Sequence, residues 1–291
     1  MANAWTNTPT YIAARIAQKD LETSDPAALK KVLDMLKPIA DLTKSGDYPF
    51  MDAAAYTMEA SRAGFSLNDN WTYQFTPLFD GVPQKEFEQH PDFDLLTTIG
   101  KSQTTVDSNG PSRIDKAFGK ALSLMYIFNQ VTQVHQPMRN IIRFSSAHPN
   151  GDEFGKLHKI DDTDYSNLFD LFEDAFGQYR ALQYPLSSTT TLDKYVAEIV
   201  DSYPKSTFTK EIEDINKANW SKQSYNIGKG FAYTLVEGDE PSHEYLQNGE
   251  DIVNKQLALA GYRLSALISY MMSKQTETNT VVEQMLKDIL S

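Results

Sequence analysis

An all-α fold in a single domain is predicted by two features of this 291-residue sequence: apolar residues recur at helical spacing in segment after segment, and those segments are bounded by clear starts and stops. Its length and 41% hydrophobic content are enough to bury one large core. There is no internal repeat and no low-complexity tract, and short β pieces are expected only in the long loops.

Asp25-Pro26 gives an N-cap acceptor followed by a first-turn proline, and Leu29, Val32, Leu33, Leu36 and Ile39 then make one helical face over Ala27–Leu42. Ser45-Gly46-Asp47 breaks it, and Ala53–Ala63 is the next helix. Phe79–Pro111 is rich in Pro, Gly, Asp and Gln and reads as loops with a short helix near Phe93–Ile99. Asn109-Gly110-Pro111 is the turn before the central element.

That element is Leu122–Arg139. Leu124, Phe128, Val131 and His135 share one face, and Met125, Asn129 and Gln133 form a neighbouring row. Gln136-Pro137 should end the helix, because proline lacks an N–H and restricts the residue before it. Beyond it, Asp164–Gln178 reads as an amphipathic helix, Ser187–Thr191 as a linker and cap before a helix over Leu192–Ser202, and Phe208–Trp220 as a further helix. Gly228–Gly238 reads as a short hairpin or loop, Asp251–Met272 as a strong helix and Thr280–Leu290 as a tail helix.

Composition narrows the function classes. A net charge of −12 opposes the counterion-releasing contacts that nucleic-acid binding needs. The chain has no cysteines, which removes disulfides and thiolate metal sites. No apolar run is long enough to span a bilayer; Leu257–Met272 is interrupted by Arg263. Ala2-Asn3-Ala4 has the small-residue pattern that ends a secretory signal, so one expectation is an exported or organellar protein whose presequence ended near Ala4. The other is an uncleaved start that happens to read this way. The five histidines (His90, His135, His148, His158, His243) form no H-x-x-x-H or H-E-x-x-H pair. They are expected to be surface or satisfied residues, with His148 and His158 the two that could touch a ligand.

Several short runs in one order resemble a known family. They are Asn129…Gln133…Gln136-Pro137…Arg139, then Asn167-Leu168-Phe169…Phe172-Glu173, Trp5…Thr10, Ala54-Ala55-Tyr56-Thr57-Met58, Trp71-Thr72-Tyr73, Gly151-Asp152-Glu153-Phe154-Gly155-Lys156, Trp220…Gln223-Ser224 and Gln256…Ala260-Gly261-Tyr262-Arg263-Leu264. Together they resemble the three-zinc, single-strand-specific nucleases and 3′-nucleotidases of the S-one/P-one family, fold relatives of the zinc-dependent phospholipases C. The likeness runs from Trp5 to about Leu267. It implies a helical fold of phospholipase C type, a phosphodiester-cleaving ancestor and a site built for three zinc ions.

The resemblance also implies that the ligands are lost. Thr10, Met58, Thr72, Asn129, Gln133, Arg139 and Phe169 stand where the family carries ligand types, and only Glu173 keeps one, as a longer carboxylate. Trp5 occupies the position whose free amine and carbonyl bind zinc in the family; any residue in front of it turns that amine into an amide, which cannot serve as that ligand. Phe154 and Lys156 replace a glycine and an asparagine of the family's loop, and Gln223 an acidic residue. Structural zinc sites contribute on the order of 10–16 kcal/mol, so their loss demands replacement packing, for which Met58 and Phe169 are suited. Arg139 is expected to pair with Glu173, a protein cation standing in for zinc.

The expectation is therefore an inactive relative, without zinc, kept as a structural or protein-binding component. One rival is a residual phosphodiesterase with fewer metals, recruited by Glu173 and Asp161, Asp162 or Asp164. The other is a small-molecule or lipid pocket in the old cleft.

Overall fold

Asp25 accepts a hydrogen bond from the Ala28 amide, and Pro26 opens a helix that runs to Leu36 with Ala28, Leu29, Val32 and Leu36 buried. The computed structural model describes residues 7–65, 69–84, 93–108 and 116–290, with side chains to residue 274. Trp5, the pattern ending at Ala4, the Asn109-Gly110-Pro111 turn and His90 lie outside the described residues. The helices are α1 (Asn7–Ser24), α2 (Pro26–Leu36), α3 (Pro49–Arg62), α4 (Leu95–Asp107), α5 (Lys116–Val134), α6 (Leu168–Glu173), α7 (Thr190–Ser202), α8 (Thr209–Glu213), α9 (Lys217–Gly230) and α10 (His243–Leu290). Two strands, β1 (Pro77–Phe79) and β2 (Ile142–Phe144), pair in parallel with Pro77 opposite Ile142 and Phe79 opposite Phe144.

The result is one mostly helical domain. α10 packs along α1 and also meets α2, α5, α4, α7 and α8, while α5 meets α3, α4, α2 and α9. α5 lies so deep that both of its predicted rows are covered: Leu124, Met125, Phe128, Asn129, Val131 and Gln133 are all buried. It ends at Val134, before Gln136-Pro137, and a 3-10 turn over Pro137–Arg139 carries the chain into β2. The Gln74 amide donates to the Arg139 carbonyl at 2.7 Å, and the Ile142 amide to the Thr76 carbonyl at 3.0 Å. This pairing brings residues 72–79 alongside residues 139–144.

Several elements differ from expectation for local physical reasons. The helix expected over Ala27–Leu42 stops at Leu36, because Pro38 cannot continue it and a 3-10 turn follows. The short helix expected near Phe93–Ile99 extends to Asp107, started by the Asp94 carboxylate on the Thr97 amide at 2.8 Å; its polar, threonine-rich second half hid it. The helix expected over Asp164–Gln178 shrinks to Leu168–Glu173. The Asp162 side chain bonds the Asp164 and Tyr165 amides into a turn, Asn167 caps the helix, and Ala175, Phe176 and Gly177 adopt left-handed backbone.

Phe208–Trp220 is two helices, not one. Asp214 takes the Asn216 amide, and Asn216 caps α9 through the Ala218 amide. Gly228–Gly238 forms no hairpin: α9 runs to Gly230 and a 3-10 turn follows at Ala232–Thr234. Gly228 is a point of close approach, where a Cβ would lie 2.8 Å from Ile141 Cγ2. The expected tail helix is continuous with its predecessor, since α10 is 48 residues long.

Not every helical glycine is a contact point. Gly100 is exposed in the middle of α4, with nothing within 4 Å of the place a Cβ would take. Gly100→Ala is expected to stabilise the chain by about 0.5–1 kcal/mol, read as a raised denaturant midpoint at unchanged slope.

Candidate functional site

The face where α1, α3, α5, α6 and the residues around Thr72 converge carries the positions singled out by sequence. α3 presents Met58, whose thioether takes the Thr10 hydroxyl of α1 at 3.5 Å and the Gln133 amide of α5 at 3.9 Å. Thioether sulfur is a weak acceptor, and all three side chains are buried. One turn before Gln133, Asn129 Nδ2 donates to the Ala54 carbonyl at 3.3 Å. These groups hold helices together by ordinary packing and neutral hydrogen bonds.

The second half of the site is charged. Arg139 is fully buried, and its guanidinium donates to Glu173 Oε1 at 3.0 Å and to Thr72 Oγ1 at 2.7 Å. Glu173 Oε2 accepts from Gln136 Nε2 at 3.0 Å, and Gln136 Oε1 takes the Arg139 amide at 3.0 Å. The guanidinium carbon lies 4.5 Å from the centre of the Tyr73 ring and 5.2 Å from that of Phe169. Burial pushes the Glu173 carboxyl up to about 7, against the pull of Arg139. Burial also works against the Arg139 charge, but Glu173 and Tyr73 hold it protonated.

The loop after β2 closes over this pair. Gly151, Glu153, Phe154 and Gly155 all have positive φ. For Phe154 that conformation is costly, and its ring packs on Tyr73 at 4.5 Å and Phe75 at 5.1 Å. Lys156 Nζ donates to the Tyr73 hydroxyl at 2.9 Å. The remaining opening, lined by Met58, Phe65, Asp69, Trp71, Thr72 and Tyr126 among others, has a volume of about 30 Å³. That is room for one or two waters.

A zinc cluster needs imidazoles and carboxylates as donors. The sequence-predicted side chains brought together at this face are two hydroxyls, a thioether, two amides, a guanidinium, a phenyl ring and one carboxylate already bound to Arg139 and Gln136. They do not fit three zinc ions, and a guanidinium at the centre repels a dipositive ion. Among the described residues, no group of three or more histidine, aspartate or glutamate side chains could hold a metal. Asp162 is engaged in its own turn, and the Asp161 amide donates to the Asp239 carbonyl.

The four described histidines stand elsewhere. His148 Nε2 meets the Glu237 carboxylate at 3.0 Å, and buried His158 lies between the Leu235 carbonyl at 3.1 Å and Arg143 at 3.4 Å. His243 is the exposed first residue of α10. His135 is buried, with Nδ1 on the Val131 carbonyl at 2.7 Å and Nε2 taking Arg263 at 2.9 Å. Sequence reasoning missed the joint roles of Gln136, Tyr73 and Lys156. Their only signal was position: each sits in or beside a run already singled out.

No described helix is long and apolar enough to cross a membrane. No curated protein matches the chain. The family model described as S1/P1 nuclease matches residues 5–273, and the chain therefore belongs to the S1/P1 nuclease family.

Proposed function

We propose that this chain is a catalytically inactive member of its family, retained as a structural or protein-binding component. One observation carries the reading: the fully buried Arg139 guanidinium sits 3.0 Å from Glu173, so the carboxylate read at the family's ligand position is already committed to a protein cation. A phosphodiester needs cationic stabilisation of developing charge and an activated water. Here the cation is sealed behind Thr72, Tyr73 and Phe169. The positions of Thr10, Met58, Thr72, Asn129, Gln133, Arg139, Phe169 and Glu173 are read as the remains of the family's cleft.

The partner that suits this reading is another protein. A net charge of −12 disfavours nucleic acid. An opening of about 30 Å³ is far below the roughly 300 Å³ at which small-molecule pockets begin, which disfavours a ligand in the old cleft. The test combines elemental analysis of the purified chain with a single-stranded nucleic-acid cleavage assay, with and without added zinc. The expected result is sub-stoichiometric zinc and no cleavage. Near-stoichiometric zinc with cleavage lost on chelation would overturn the proposal.

A further inference from the structure

We infer that Arg139 and Lys156 form a two-cation lock that holds this face together without metal. The inference rests on the reading of a lost zinc site and goes beyond it by naming what replaced the ions. A metal cluster cross-links segments distant in sequence. Here Arg139 joins the turn after α5 to Thr72 at 2.7 Å and to Glu173 of α6 at 3.0 Å. Lys156, from the loop after β2, reaches the Tyr73 hydroxyl at 2.9 Å.

Both cations use the same two rings. Tyr73 and Phe169 are stacked with centroids 6.1 Å apart and planes 29° apart. Arg139 lies 4.5 and 5.2 Å from the two centroids, and Lys156 lies 4.8 Å from each. Two positive charges face one buried carboxylate, and the ring faces stabilise the excess. Five of these residues, Thr72, Arg139, Lys156, Phe169 and Glu173, stand where the resemblance implies another residue. They meet in space as one cluster.

The test is thermal unfolding of the full chain. Removing one partner of a buried pair leaves the other charge uncompensated, whereas replacing both by apolar side chains is often neutral. Arg139→Met is expected to lower Tm by about 10 °C. Arg139→Met/Glu173→Leu is expected to recover more than half of that loss, and Lys156→Met to lower Tm by about 3 °C. Neither a chelator nor added zinc should shift the wild-type Tm. If Arg139→Met yields no soluble protein, Glu173→Leu, which removes both acceptor oxygens and strands the buried guanidinium, should still lower Tm.

A wild-type Tm that falls with chelator or rises with zinc would overturn the lock. So would an Arg139→Met or Glu173→Leu variant as stable as wild type. Chelator-sensitive stability in a chain that cleaves nothing would refute the lock and leave the inactive reading standing. Metal-independent stability in a chain that cleaves would do the reverse.

Discussion

Gly261→Val is expected to abolish soluble expression or, where some protein survives, to lower its melting temperature by 10 °C or more. A Cβ at Gly261 would lie 2.6 Å from both Cβ and Cγ2 of Ile16 and 2.9 Å from the Ala13 carbonyl oxygen. Ile16 is a stiff β-branched side chain on α1, and the carbonyl belongs to the α1 backbone, so neither can swing away. Relief requires moving α1 off α10 along the largest helix–helix contact in the molecule. Both helices are densely packed here, with Ala13, Ala17, Leu257, Ala258 and Leu264 all buried. Overpacking of such a core costs about 1–3 kcal/mol when side chains can adjust, and more when backbone must move. Gly261→Ala should fall between valine and wild type. A denaturation series across the two variants reads the gradient.

The second large effect is expected at Arg263. Its buried guanidinium donates to the Glu211 carbonyl at 2.9 Å, to His135 Nε2 at 2.9 Å and to Gln223 Oε1 at 2.8 Å, and lies 5.1 Å from the Trp220 ring. Arg263→Met keeps the stem and strands three acceptors, at an expected loss of about 3–5 kcal/mol in equilibrium unfolding. Gln223→Glu should act in the opposite direction. It offers the same oxygen with a full charge to a guanidinium whose acceptors are all neutral, and a gain of about 1 kcal/mol is expected.

The same cluster carries a pH dependence. Burial first, and Arg263 second, push the His135 imidazole well below its ordinary range. The unfolded chain takes up this proton near pH 6.5 while the folded chain refuses it. The unfolded state therefore binds more protons below that value. The contribution of His135 is intact above about pH 6.5 and is lost as pH falls. Buried Asp52, pushed up to about 6, and Glu173, pushed up to about 7, run the other way, since each favours the fold more as pH falls. The slope for His135 is therefore read as the difference between wild type and His135→Gln from pH 7.5 to 5. The variant should be less stable than wild type at the upper end, and that deficit should shrink as pH falls.

Much of this architecture was legible in the sequence because it rests on local chemistry. The cap at Asp25-Pro26, the proline stop at Gln136-Pro137 and the apolar rows of α5 each follow from neighbours within one or two helical turns. The positions of Asn129, Gln133, Arg139, Phe169 and Glu173 were legible through the resemblance to the family's motifs, and their side chains meet around one face. What spacing could not reveal was competition from distant groups. α6 stops early because Phe176 turns back between Phe172 and Tyr245, with centroids 4.8 and 6.3 Å away. Gly249 leaves it room, since a Cβ there would come within 2.2 Å of the Phe176 ring. The break between α8 and α9 is set nearer by, where the Asp214 and Asn216 side chains take the Asn216 and Ala218 amides from a continuous helix. The rings around Arg139 and Lys156 come from segments over 80 residues apart, and periodicity carries no such information.

The contact between Ala13 and Gly261 has a consequence for synthesis. At about 5–20 residues per second, the ribosome completes the stretch around Gly261 some 12–50 s after the stretch around Ala13. Throughout that interval the strip of α1 that faces α10 lacks its native cover, while the sides that meet α2, α3, α5 and α7 can already be covered. The nascent chain thus carries an uncovered apolar strip during translation, and pulse-labelled ribosome-bound intermediates should stay protease-sensitive near Ala13 and Ile16 until α10 has emerged.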